Sequence, residues 1–214
     1  MPRIALIHAL VHSPAPVNDA FARDWPVAVR MNLLDDSLSA DLAAAGGMLD
    51  AAMQRRFDTL ADYAVATGAD AILFTCSAFG PCIEAVARRL APLPVLKPNE
   101  AMIEEAARRG GRIGLLASFA PTLQSMPPEF PAGTALDVEL APQAMAALNR
   151  GDRAAHDADV VDAARRLAAR GAQVIALAQF SMAHAAPQVQ QAVGLPVLTT
   201  VDSAIAALRA RLGA

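Results

Sequence analysis

A cysteine between two hydroxyl residues, Thr75-Cys76-Ser77, closes the apolar run Ala71-Ile72-Leu73-Phe74. A thiol can give a proton, take one back as thiolate, or attack as a nucleophile. At a junction where a strand ends and a helix begins, free backbone N–H groups and the positive helix end stabilise an anion and are expected to depress the thiol pKa. Thr75 and Ser77 add donors that would hold a carboxylate, or the enediolate made from one. The competing reading is a small buried core residue, the usual fate of a free cysteine. A place at a strand's carboxyl end with polar neighbours favours chemistry. The other cysteine, Cys82, follows Pro81 at a predicted helix start and reads as packing. Lying six residues apart on a strand end and a helix, the two do not suggest a disulfide, in keeping with a reduced cytoplasm, and zinc-ligand spacing is absent.

The cysteine segment has an internal counterpart that lacks the thiol. Gly68–Phe79 (GADAILFTCSAF) aligns with Gly171–Met182 (GAQVIALAQFSM) at an offset of 171 − 68 = 103, placing Cys76 over Gln179 and Ser77 over Phe180. Two more blocks repeat in the same order. Arg3 onward (RIALIHALVHSP) resembles Arg112 onward (RIGLLASFAPT) at 112 − 3 = 109, and Leu93 onward (LPVLKPNEAM) resembles Leu195 onward (LPVLTTVDSAI) at 195 − 93 = 102. Three blocks in one order imply two copies of one α/β unit.

The elements that must position these residues follow from pattern. Apolar runs at Arg3–His8, Val27–Leu33, Ala71–Thr75, Pro94–Lys97, Arg112–Ala117, Ala135–Leu140, Gln173–Ala178 and Pro196–Thr199 read as strands. Helical segments between them include Val17–Asp24, Asp50–Thr67, Pro81–Leu90, Asn99–Arg109, Pro142–Asn149, His156–Arg170, Ala185–Val193 and Asp202–Leu212. Such alternation predicts βαβ crossovers and parallel sheets covered on both faces. The expected fold is α/β: two similar Rossmann-like lobes, each a small parallel sheet flanked by helices, related by a pseudo-two-fold axis. Residues 1–97 with 199–214 would form the N-terminal lobe and 98–198 the C-terminal lobe. Ligands of open α/β sheets bind at the carboxyl ends of strands, so a cleft shared by the lobes is the expected site. Ser125–Pro131 (SMPPEFP), the most proline-rich piece, reads as a surface loop.

Bulk properties exclude several classes. A net charge of −3 with 18% charged residues implies no polyanion-binding surface, so nucleic acid is not an expected partner. No apolar run approaches the roughly 20 residues that span a bilayer, and the N-terminus reads as a first strand rather than a targeting segment; a cytoplasmic protein without membrane association is expected. Gly46-Gly47 and Gly110-Gly111 lack the context of a phosphate-binding loop. Lys97, the only lysine, precedes a proline, which argues against a Schiff base. No cofactor and no metal are expected.

On TCSA at Thr75–Ala78, IALAQFSM at Ile175–Met182 and the duplicated strand openings, the whole chain resembles the aspartate/glutamate racemase superfamily. That group includes hydantoin racemases, maleate isomerases and arylmalonate decarboxylases. The resemblance implies a cofactor-independent racemase or isomerase acting at the carbon next to a carboxylate, and a homodimer is the expectation for the group. Racemases of this kind use one cysteine from each half, on opposite faces of the substrate carbon. Cys76 matches the first; Ala178-Gln179 stands where the second is usual. A carboxamide neither gives nor takes protons near neutral pH, so two-thiol racemisation is not supported. A decarboxylase using one thiol, a cis-trans isomerase using a nucleophilic thiol, and a non-catalytic carboxylate sensor stay open.

The expected site therefore has Cys76 as acid/base or nucleophile and Thr75, Ser77, Gln179, Ser181, Ser118, His8, Asn99 and Asp36 as substrate-binding residues. Asn99 also reads as a helix N-cap; Asp35-Asp36 with Ser37 and Ser39 read equally as a capping segment and, at the expected cleft mouth, as groups that bind a substrate amine or serve as a base. For the group opposite Cys76, His184, His8 and Asp36 are candidates by location, with a surface position equally consistent for His184. His12 reads as a solvated loop residue and His156, in an acidic helix, as exposed.

Overall fold

The computed structural model describes residues 1–214. In chain order the elements are β1 (Arg3–His8), α1 (Pro14–Asp24), β2 (Val29–Leu34), α2 (Ser37–Ala44), α3 (Ala51–Ala66), β3 (Ala71–Phe74), α4 (Gly80–Leu90), β4 (Val95–Leu96), α5 (Glu100–Arg109), β5 (Ile113–Ala117), α6 (Thr122–Ser125), β6 (Leu136–Leu140), α7 (Ala144–Asn149), α8 (Arg153–Ala169), β7 (Val174–Leu177), α9 (Ala186–Val193), β8 (Val197–Thr199) and α10 (Thr200–Arg211). Short 3-10 turns occupy Ser77–Phe79, Pro127–Glu129 and Phe180–Ala185.

Two parallel four-stranded sheets result, ordered β2-β1-β3-β4 and β6-β5-β7-β8. The central strands are buried almost throughout, which is why their sequences are unbroken apolar runs. β2 and β6 lie at edges and are only partly buried. The backbone pairing reproduces the sequence repeat. Ile72 pairs with Ala5 and Val95, while Ile175 pairs with Gly114 and Val197. These partners are related by 114 − 5 = 109, 175 − 72 = 103 and 197 − 95 = 102, the three offsets of the repeated blocks. The repeat is therefore one of hydrogen-bonding register as well as of residue type.

Two compact units emerge, Met1–Pro98 with Ala204–Ala214, and Asn99–Ser203. In the first, Phe57 of α3 stacks on Phe74 of β3 at 5.2 Å and lies 4.9 Å from Phe79, so an aromatic cluster backs the strand end that carries Cys76. Phe57 is 2% exposed. Phe57→Ala is expected to cost about 3–5 kcal/mol of unfolding free energy, measured by urea denaturation; a loss below about 1 kcal/mol would mean that the cluster relaxes around the gap. In the second unit Leu116, Val160, Leu167, Ile175, Leu177 and Val189 form a comparable core.

Two local expectations need correction. Ser125–Pro131 is not simply a surface loop: it holds the end of α6 and a 3-10 turn, with Met126 and Phe130 buried in the core. The prolines shape the turn, but two large apolar side chains four residues apart decide where it lies. The second departure is α2, absent from the predicted helices. Its buried Leu38 and Leu42 stand at i,i+4, a single turn of amphipathic signal in a polar, Ala-rich context.

Candidate active site

Cys76 and Gln179 occupy equivalent places in the two units. Each follows its central strand by two residues, each is extended (φ −127°, ψ 116° and φ −136°, ψ 142°), and each precedes a 3-10 turn. The preceding residues are held alike, with Thr75 N donating to Ile7 O at 3.0 Å and Ala178 N to Leu116 O at 2.9 Å.

Cys76 is partly exposed and lines a small cavity of about 10 Å³ with Ile7, His8, Leu38, Phe57 and Phe79. Burial pushes its thiol pKa up to about 11, against the opposing pull of hydrogen bonds from the Ala78 backbone N–H and the Ser39 hydroxyl. The expectation of a depressed pKa is thus overturned. Only a three-residue 3-10 turn follows directly, so no long helix end points at the sulfur, and the apolar wall penalises the anion. At pH 7 the thiolate fraction is on the order of one in ten thousand. In a Cys82→Ala background, the rate of iodoacetamide alkylation of Cys76 is expected to keep rising with pH to about 11; a plateau near 8.5, the ordinary thiol value, would contradict this environment.

Behind the cysteine, His8 is fully buried at the end of β1, with Nδ1 2.9 Å from Thr75 Oγ1 and Nε2 2.9 Å from Asn32 Oδ1. Asn18 Nδ2 donates to Pro14 O (2.7 Å) and to the same Asn32 oxygen (2.9 Å). An oxygen that accepts from Asn18 also accepts from His8, so Nε2 carries the proton and Nδ1 receives the Thr75 hydroxyl. Burial lowers the His8 pKa, with the Asn32 hydrogen bond opposing. His8 is a neutral ring with both nitrogens engaged, and it orients Thr75.

In the second unit, Gln179 Oε1 accepts from Ser118 N at 2.6 Å and Ser118 Oγ at 3.0 Å. A backbone N–H can only donate, so the amide cannot be flipped, and its NH₂ group faces away from Ser118. Ser181 Oγ and Thr200 Oγ1 are buried without a hydrogen-bond partner. Such hydroxyls cost about 1–3 kcal/mol unless a ligand or water answers them. Asn99 precedes α5 without capping it; its Nδ2 donates to Glu129 Oε1 at 2.8 Å.

The remaining candidates lie elsewhere or in other roles. Asp36 is exposed before α2 and makes no side-chain cap. Its neighbour Asp35 pairs with Arg56 at 2.6 Å and accepts from Ser37 at 2.6 Å; these two hold its carboxyl below the ordinary value although burial acts in the opposite direction. Ser77 is buried beside Cys76. Ser39, in the segment expected at the cleft mouth, lies beside the sulfur and donates its proton to Ala9 O at 2.8 Å. His156 is fully buried, not exposed, and packs on His184 with ring centroids 4.7 Å apart. Of the acidic neighbours that suggested a solvated face, Asp157 turns inward and lies 2.8 Å from His156 Nδ1, and Asp152 caps the start of α8. Burial lowers the His184 pKa, with Asp157 opposing. No helix is long and apolar enough to cross a membrane.

Residues 39–208 match the family model described as Asp/Glu/Hydantoin racemase. Solved structures share the fold at low identity. Aspartate racemase from Picrophilus torridus superposes with a TM-score of 0.73 at 13% identity, covering 100% of this chain and 95% of that one. Allantoin racemase from Klebsiella pneumoniae gives 0.72 at 18%, covering 100% and 88%. A variant of arylmalonate decarboxylase, in a sulfate-associated form, gives 0.67 at 18%, covering 99% and 94%. No curated protein matches.

Proposed function

Because the chain belongs to the Asp/Glu/hydantoin racemase family, we propose that it is a cofactor-independent racemase or isomerase-type enzyme that forms and quenches a carbanion next to the carboxylate of a small acid. The observation that carries this reading is the thiol of Cys76, kept protonated by its apolar surroundings at the carboxyl end of β3. The thiolate form of Cys76 takes the α-proton, leaving the C–H electron pair on carbon, and the S–H so formed returns its proton to that carbanion, whose basicity exceeds that of the thiolate left behind. Gln179 supplies no matching acid or base. Its NH₂ group, turned away from Ser118, is a donor suited to a carboxylate, and the Ser181 hydroxyl two residues on is unspent. Ser77 flanks the thiol and bears on the enediolate oxygens as negative charge develops there, while Thr75, whose hydroxyl proton goes to His8 Nδ1, braces the strand end beside it.

One observation favours a second reading, decarboxylation of a malonate-type diacid. Proton removal by Cys76 requires a thiolate that is scarce at neutral pH, whereas loss of carbon dioxide generates the carbanion without any base. The departing carboxyl leaves its C–C electron pair on the carbon, and Cys76 S–H then protonates that carbon.

Incubation of the protein with amino acids, hydantoins, arylmalonate-type diacids and unsaturated diacids in deuterated water, followed by NMR and chiral chromatography, separates the readings. Deuterium at the α-carbon with inversion supports racemisation, and release of carbon dioxide with one deuterium incorporated supports decarboxylation. Failure of every class to react, with tight binding of one of them, would replace both with a carboxylate sensor.

A further inference from the structure

Away from the strand ends, the second unit holds a compact group of metal-ligating side chains. His156 and Asp157 come from α8, and His184 from the 3-10 turn Phe180–Ala185. One ligand atom from each lies within 4.8 Å of the others. Asp157 Oδ1 is 2.8 Å from both His156 Nδ1 and His184 Nε2.

Hydrogen bonding satisfies this group only in part, at His156 Nδ1 and Asp157. His184 Nε2, despite its closeness to the carboxylate, has no hydrogen-bond partner, and neither does the buried His156 Nε2. Buried imidazole nitrogens left this way cost about 1–3 kcal/mol each. A divalent cation is a common acceptor for electron pairs from two imidazoles and a carboxylate, a donor set that suits Zn²⁺ and its neighbours rather than Ca²⁺ or Mg²⁺. Metal–ligand bonds of about 2.0–2.1 Å set tetrahedral ligands about 3.3 Å apart, so small side-chain rotations would open the 2.8 Å contacts to that spacing. Gln188 Nε2, 3.4 Å from Asp157 Oδ2, steadies the other carboxylate oxygen. An open groove of about 270 Å³, lined by Asp157, Val161, Arg165 and Gln188 among others, meets the cluster at Asp157.

We propose that His156, Asp157 and His184 bind one Zn²⁺-class transition-metal ion, with a water molecule completing the tetrahedron. The ion has a structural role: it clamps the 3-10 turn that follows Gln179 onto α8, and so fixes the loop bearing Gln179 and Ser181. This site is independent of the reaction proposed above.

The test uses the untagged, chelator-treated full chain and Co²⁺ as the probe. One equivalent of Co²⁺ is expected to produce the visible bands of a tetrahedral ion and to raise Tm. His184→Ala and Asp157→Asn should each weaken Co²⁺ binding by more than about 100-fold, beyond the about 10–100-fold typical of an outer-shell partner. Cys76→Ser should leave Co²⁺ binding unchanged, which separates this site from the thiol. The proposal is overturned if Co²⁺ alters neither spectrum nor Tm, if both ligand variants bind as tightly as wild type, or if binding is lost with Cys76 instead.

Discussion

Cys76→Ser is expected to lower turnover of the responsive acid by about 10²–10⁴-fold, the usual contribution of a positioned proton-transfer group. Far-UV circular dichroism should stay that of wild type. Serine nearly fills the space of the thiol and keeps a hydrogen bond to Ser39 within reach, so the loss would be one of chemistry rather than packing. The pH profile carries the sign of the role. If Cys76 donates its proton, kcat/KM falls as pH rises through about 11, because the acid form disappears there. If it must first act as thiolate base, kcat/KM climbs towards that same pH. A Cys76→Ser protein as active as wild type would remove the thiol from the mechanism altogether.

Gln179→Glu should raise KM for the same acid by about 100-fold or more, with kcat changed far less. Glutamate has the same shape, and one of its oxygens can still accept from Ser118 N and Oγ. The other replaces an NH₂ donor by a negatively charged oxygen, so an attraction to the substrate carboxylate becomes a repulsion. A hydrogen bond to a charged group contributes about 1.5–3 kcal/mol, and each 1.4 kcal/mol is about tenfold in affinity. Steady-state kinetics on a purified variant decides the matter. An unchanged KM would show that the amide only braces Ser118. In that event Gln179 is a positioning residue and the carboxylate is held elsewhere.

Much of the architecture was legible because its signals are local. β1 could be read to its ends as Arg3–His8, since a strand covered on both faces must be apolar throughout. The three repeated blocks also carried register, because matched positions on β1, β3 and β4 recur on β5, β7 and β8. The helix α2 escaped because one turn of periodicity, Leu38 to Leu42, is too short a signal in a polar segment. His156 reads as exposed because aspartates surround it in the sequence, yet it is buried and Asp157 turns inward to bond its Nδ1.

The residues alone determined which chemistry is available: a thiol at position 76, an amide at position 179 and hydroxyls around both, on two copies of one α/β unit. They also excluded a second thiol at the repeated position, since that is a matter of composition. Only the tertiary structure decided the protonation state of Cys76, the tautomer of His8 and the direction in which the Gln179 amide points. Each of these depends on groups far apart along the chain, Ile7, Leu38 and Phe57 around the thiol, Asn32 on the imidazole, Ser118 on the amide. Electrostatic free energies are set by distance and by exclusion of water, and neither quantity is written in residue order.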